Sequence, residues 1–97
     1  MKEKVYAYIK MIPEGKVATY GQIADHLGNK NLARVVGNIL HNNPDPENIP
    51  CHRVVNSRGR LAENYAFGGS LAQRKRLENE GIVFERNGTI DLNKYGM

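Results

Sequence analysis

Three prolines within seven residues, Pro44, Pro46 and Pro50, constrain this chain more than any other feature. Proline locks its own φ, lacks an amide hydrogen and steers the preceding residue out of the α region. The stretch from Asn42 to Pro50 can therefore join neither a helix interior nor a central strand. It reads as a rigid loop that presents Cys51-His52-Arg53-Val54-Val55 in a fixed pose.

Upstream of the loop the pattern is helical. Val5, Tyr8, Ile9 and Ile12 fall at helical spacing in a segment from Lys2 to Ile12, which Pro13-Glu14-Gly15 ends. After the link Lys16-Val17-Ala18, Thr19 and Gln22 form a capping box that opens a helix through Leu27, terminated by Gly28. Asn31 is placed to cap a third helix with the apolar stripe Leu32, Val35, Val36, Ile39 and Leu40. Two short helices around Gly28-Asn29-Lys30-Asn31 make a helix-turn-helix pattern, although such pairs also arise as plain core packing.

Downstream, Asn56 to Phe67 is polar and turn-rich, and Gly68-Gly69 closes it. Ser70 with Gln73 reads as a second capping box, opening a helix to about Asn79 with Gly81 as its stop. Residues 82–85 and 89–92 flank Asn87-Gly88, the strongest short hairpin signal. The expectation is one domain over residues 1–97, mainly α with a small β-hairpin.

Composition narrows the function classes. The 97 residues are 40% hydrophobic and 25% charged, the balance of a globular chain. No apolar run approaches the roughly 18–20 residues that cross a bilayer. The N-terminus interleaves charges, Glu3 among them, and does not read as a secretory signal. Cys51 is the lone cysteine, which excludes an internal disulfide and fits a reducing cytoplasm. With no CxxC or HxxxH spacing, neither a metal nor a cofactor is expected. Charge is uneven: residues 1–29 carry +1, residues 30–76 carry +5 and residues 77–97 carry −2. A basic middle suggests an anionic partner, nucleic acid first, though solvated surface cations give the same count.

The chemistry concentrates at Pro50-Cys51-His52-Arg53-Val54. A free thiol, with a reference pKa of about 8.5, becomes a good nucleophile beside cationic or proton-accepting groups. His52 and Arg53 are such groups, but the same run also fits a buried structural cysteine in a β-like segment. Adjacency does not decide, because neighbours on a strand face opposite ways.

The longer run Asn43-Pro44-x-Pro46-x-x-Ile49-Pro50-Cys51-His52-Arg53-Val54-Val55 resembles the active-site signature of the O6-alkylguanine-DNA alkyltransferases, the methylated-DNA–protein-cysteine methyltransferases. Pro13-x-Gly15-x-Val17-x-Thr19-Tyr20-Gly21-Gln22-Ile23-Ala24 and Ala33-Arg34-Val35-Val36-Gly37 resemble that family's helix-turn-helix. Asn64-Tyr65, Gly68-Gly69 and Leu77-x-x-Glu80-Gly81 resemble its closing segment. The similarity runs from about residue 2 to residue 84 and implies a winged helix-turn-helix-like DNA-binding domain.

The resemblance implies a single-turnover repair protein and gives each residue an expected role. The partner is double-stranded DNA containing O6-alkylguanine, whose damaged base is flipped into a pocket because a stacked base cannot be reached. Cys51 takes the alkyl group as a thioether. His52 passes the thiol proton toward Glu80, Asn43 supports that network, and Tyr20 protonates or hydrogen-bonds the departing base. Arg34 enters the space left by the base. Thr19, Gln22, Ala33, Gly37, Arg53 and Ser70 complete the expected DNA-binding set with Arg58 and Arg60, which suit phosphates, as do Arg74, Lys75 and Arg76. A monomer is expected, with further repair proteins as possible downstream partners.

Two departures stand out. The chain shows no additional N-terminal domain of the kind many members carry, which brings it close in size to alkyltransferase-like proteins. In those, another residue replaces the cysteine, and the protein binds the lesion and flags it for other factors. The stretch from Ala62 to Phe67, with Glu63, is also longer than expected, and Ala66 and Phe67 offer no hydroxyl to the base. Alkyl transfer is the expected activity; lesion flagging and sequence-specific transcriptional regulation are the alternatives.

Overall fold

A computed structural model describes residues 1–62 and 65–97; Glu63 and Asn64, quoted above, lie outside the described residues. Helix α1 spans Lys2–Lys10 and buries Val5 and Ile9 completely, one turn apart on a single face. It stops at Met11, ahead of Pro13, and Ile12 follows into the core. The hydroxyl of Tyr6 donates to the Ile39 carbonyl (3.1 Å), and the Tyr8 ring lies 4.9 Å from that of His26.

The Thr19–Gln22 capping box forms as the sequence predicts. Thr19 Oγ1 accepts from Gln22 N (3.1 Å), and Gln22 Oε1 accepts from Thr19 N (2.8 Å). It opens α2, Tyr20–His26. The next helix differs at its start. The cap is Asn29, whose Oδ1 accepts from Asn31 N (2.9 Å), and it opens a 3₁₀ turn over Lys30–Leu32 that runs into α3, Ala33–His41. Val36 and Leu40 of the expected stripe are buried, whereas Val35 is exposed.

Beyond the proline loop, Cys51–Arg53 form a 3₁₀ turn rather than a β-like segment, and strand β2, Val54–Val55, follows. It pairs in parallel with β1, Ala18–Thr19, in the register Ala18↔Val54 and Thr19↔Val55. This short pairing sets the Cys51 turn beside the first turn of α2, which carries Tyr20. Helix α4, Gly69–Asn79, is capped by Gly68 in the left-handed region (φ 117°), with no side-chain cap. The expected Ser70–Gln73 box does not form, because Gln73 is drawn into the interior instead.

The C-terminal hairpin is reduced to its turn. Gly88 N donates to the Glu85 carbonyl (2.9 Å) and Glu85 N to the Thr89 carbonyl (2.8 Å), but no strands flank them. Ile90 N bonds the Gly59 carbonyl (2.9 Å), so the second arm belongs to the 56–60 turn. The two-stranded sheet among the described residues is therefore parallel, within the mainly helical fold that was expected. A last helix, α5, Leu92–Tyr95, brings Gly96 to a parallel bridge with Val17. One core cluster joins α1, α2, α3 and the Cys51 turn; a second comprises Val17, Val55, Leu77, Ile82 and Ile90. No helix of the described residues is long and apolar enough to cross a membrane.

Candidate active site

The proline loop is tied down before it reaches the thiol. Asn43, 5% exposed, donates from Nδ2 to the Ile49 carbonyl (2.8 Å) and accepts from Asp45 N at Oδ1 (2.9 Å). Cys51 N then bonds the Ile49 carbonyl (2.7 Å) and Arg53 N the Pro50 carbonyl (3.0 Å), which tightens the turn. Gln73 holds it from the other side. Its Nε2 donates to the carbonyls of His52 (3.0 Å) and Val54 (3.1 Å), and its Oε1 accepts from Ala62 N (3.1 Å).

Cys51 is 5% exposed, yet it is not sealed in. It lines a cleft of about 630 Å³ whose wall also includes Tyr20, Ala33, Arg34, Gly37 and Arg60. Six of the expected site residues thus meet at one opening. Arg34 and Arg60 are exposed, and neither guanidinium has a hydrogen bond or ion pair among the described residues. Cleft and cations share a face of the molecule.

Behind the sulfur stands a second layer. His52 is 2% exposed, and its Nε2 lies 2.8 Å from Glu80 Oε2 at the C-terminal end of α4. A carboxylate only accepts, so Nε2 carries the hydrogen and Nδ1 keeps its lone pair. Nδ1 is buried and has no hydrogen-bond partner among the described groups. Burial pushes the His52 pKa down despite the Glu80 hydrogen bond, so the ring is neutral near pH 7 and able to accept a proton. Burial also acts to raise Glu80, but hydrogen bonds from Arg53 and His52 outweigh it and hold the carboxyl below its usual range. The Cys51 thiol is raised by burial, opposed by Asn43, Arg76 and Tyr65. Burial raises Tyr20 as well, keeping its phenol protonated beside the cleft.

Several expected DNA contacts are placed otherwise. Arg53 turns inward: Nε and Nη2 grip Glu80 in a two-point ion pair (both 2.9 Å), and Nη1 donates to the Ile12 carbonyl (2.8 Å). A guanidinium so committed is not free for a phosphate. Gln22 is engaged by its cap and, through Nε2, by the Met97 carbonyl (2.9 Å). Thr19 serves the same cap, and Ser70 lies half-buried in the first turn of α4. Arg58 is exposed on the 56–60 turn, outside the cleft lining. Arg76, expected at a phosphate, is bonded to Tyr65 and Pro46. Arg74 pairs with Glu78 (3.4 Å) and lies 4.6 Å over the Phe84 ring.

Sequence reasoning read Gln73 as half of a capping box and Arg76 as a phosphate contact, and missed the inward roles of both. They lie three residues apart on a helix dense in charge, where no apolar stripe marks which polar groups face inward. Asn38 and His41 of α3, together with Asn56, also line the cleft without having been singled out.

The chain is similar to known proteins over most of its length. Residues 1–82 match the family model described as 6-O-methylguanine DNA methyltransferase, DNA binding domain. A DNA base-flipping protein of Vibrio parahaemolyticus is 42% identical over 93 residues, covering 95% of this chain and 90% of that protein. A bifunctional methyltransferase/endonuclease of Picrophilus torridus is 45% identical over 91 residues, 94% of this chain but only 30% of its own length. The structure of the S. pombe protein Atl1, in complex with damaged DNA containing O6-carboxymethylguanine, superposes with a TM-score of 0.85 at 36% identity, covering 99% of this chain and 93% of that one. The chain belongs to the O6-methylguanine-DNA methyltransferase family and corresponds to its DNA-binding domain.

Proposed function

We propose that this protein binds duplex DNA carrying an O6-alkylated guanine, turns the base into the cleft and transfers the alkyl group to Cys51. The observation that carries the reading is Cys51 itself, which lines a cleft flanked by Arg34 and Arg60, both unpaired among the described residues, and is backed by His52 and Glu80. A neutral thiol loses its proton to the His52 relay as the base arrives, and the imidazolium is offset by the Glu80 carboxylate. Sγ attacks the alkyl carbon in line, an S–C bond forms, and the C–O6 bond breaks with its electron pair going to the purine. Tyr20, protonated and at the cleft wall, donates to the departing base and neutralises its charge. The thioether is stable, so each molecule acts once.

Arg34 projects from the N-terminal turn of α3 without a partner among the described residues, a position suited to filling the gap left in the base stack. A second reading, lesion binding without transfer, is favoured by the base-flipping relative matched over 90% of its length and by the raised thiol. Intact-mass measurement after incubation with O6-methylguanine duplex separates the two. Transfer adds one methylene per chain on Cys51 and none in Cys51→Ala, which still retards the lesion duplex. Tight binding with unchanged mass leaves the flagging role.

A further inference from the structure

Among the described residues, Arg76 is the one basic residue of α4 whose guanidinium is hydrogen-bonded to a residue lining the thiol cleft. It is half-buried, with Nη1 donating to the Tyr65 hydroxyl (3.0 Å) and Nη2 to the Pro46 carbonyl (3.3 Å). One planar fork thus joins α4, the proline loop and the segment ahead of Gly68, a geometry that a lysine ammonium cannot reproduce. Tyr65 is itself 8% exposed and lines the cleft with Cys51.

We propose that Arg76 is a positioning residue for the Cys51 nucleophile: its guanidinium fastens the proline loop that delivers Cys51 to the Tyr65 hydroxyl at the cleft wall, and sets a fixed positive charge beside the anion that forms there. That charge favours the thiolate where burial opposes it. The same charge disfavours protonation of His52, which keeps the imidazole free to take the thiol proton. A half-buried charge is screened far less than one on the surface, so its effect persists at physiological salt.

The inference rests on Cys51 being the nucleophile, but its test uses no DNA and so fails independently of alkyl transfer. The rate of Cys51 alkylation by iodoacetamide is followed against pH in the full chain. R76M is expected to slow the reaction about three- to tenfold at pH 7 and to move its midpoint to higher pH. R76K, which keeps the charge but not the two-point fork, recovers only part of the rate. A profile for R76M that coincides with the parent overturns the proposal, as does equal slowing by R76M and R76K. If R76M does not fold, Y65F serves instead: it removes the oxygen that accepts from Arg76 and frees the guanidinium from the cleft wall, so the midpoint is expected to move upward, and an unmoved midpoint overturns the proposal.

Discussion

Glu80 illustrates how much one residue organises here. Its two oxygens receive Arg53 at two points and His52 at a third, while its side chain is only 11% exposed. Glu80→Gln leaves the half-buried Arg53 without its counter-charge and is expected to cost about 3 kcal/mol, read as a lowered Tm. The pH dependence follows from the two depressed groups. His52 binds a proton near its ordinary 6.5 in the unfolded chain but only at lower pH when folded, so stability is present above 6.5 and declines as pH falls below it. Glu80 adds a second decline beginning near its ordinary 4.5. Tm is therefore expected to fall in two stages on acidification, and His52→Gln should remove the upper one; a flat Tm between pH 7 and 5 contradicts the burial of a neutral imidazole. Of these residues, Cys51 and His52 were singled out by the pentapeptide, and Asn43 and Glu80 by the resemblance alone. The inward turn of Arg53 was not, since its acceptors lie 27 and 41 positions away.

Elements show where local pattern is sufficient and where it is overruled. Thr19–Gln22 and Ser70–Gln73 offer the same capping signature, yet only the first forms. Gly68 starts α4 early in a left-handed conformation, and the carbonyls of His52 and Val54 claim the Gln73 amide. Asn87-Gly88 makes its turn, but Ile90 pairs with Gly59 across the molecule. That exchange depends on glycine: Gly59 has φ 76°, and a Cβ there would collide with the Ile90 carbonyl. Gly59→Ala is accordingly expected to cost at least about 2 kcal/mol in urea unfolding, more than a surface glycine exchange. A loss below about 0.5 kcal/mol would mean that the 56–60 turn and the C-terminal arm are not coupled.

At the scale of the molecule, residues 83–97 lie beyond the family match yet complete the second core cluster through Ile90, with Phe84, Leu92 and Tyr95 packed against it. Met97 N also bonds the Val17 carbonyl (2.9 Å), bracing the strand that precedes α2. Removing residues 83–97 uncovers Val17, Val55 and Leu77 and is expected to lower stability by about 2 kcal/mol or more, from the lost burial of Ile90 alone. An unchanged Tm would show that the arm is dispensable.

The proline loop, the α2 cap and the approximate spans of α1 to α4 were determined by the sequence alone, because each depends on residues within a few positions of one another. Only the tertiary structure decided the parallel β1–β2 pairing, the capture of Ile90 by Gly59, and the inward engagement of Arg53, Gln73 and Arg76. Those outcomes join segments distant in the chain, and the orientation of a polar side chain on a charge-rich helix depends on which unpaired carbonyls, carboxylates and hydroxyls the completed fold sets against it.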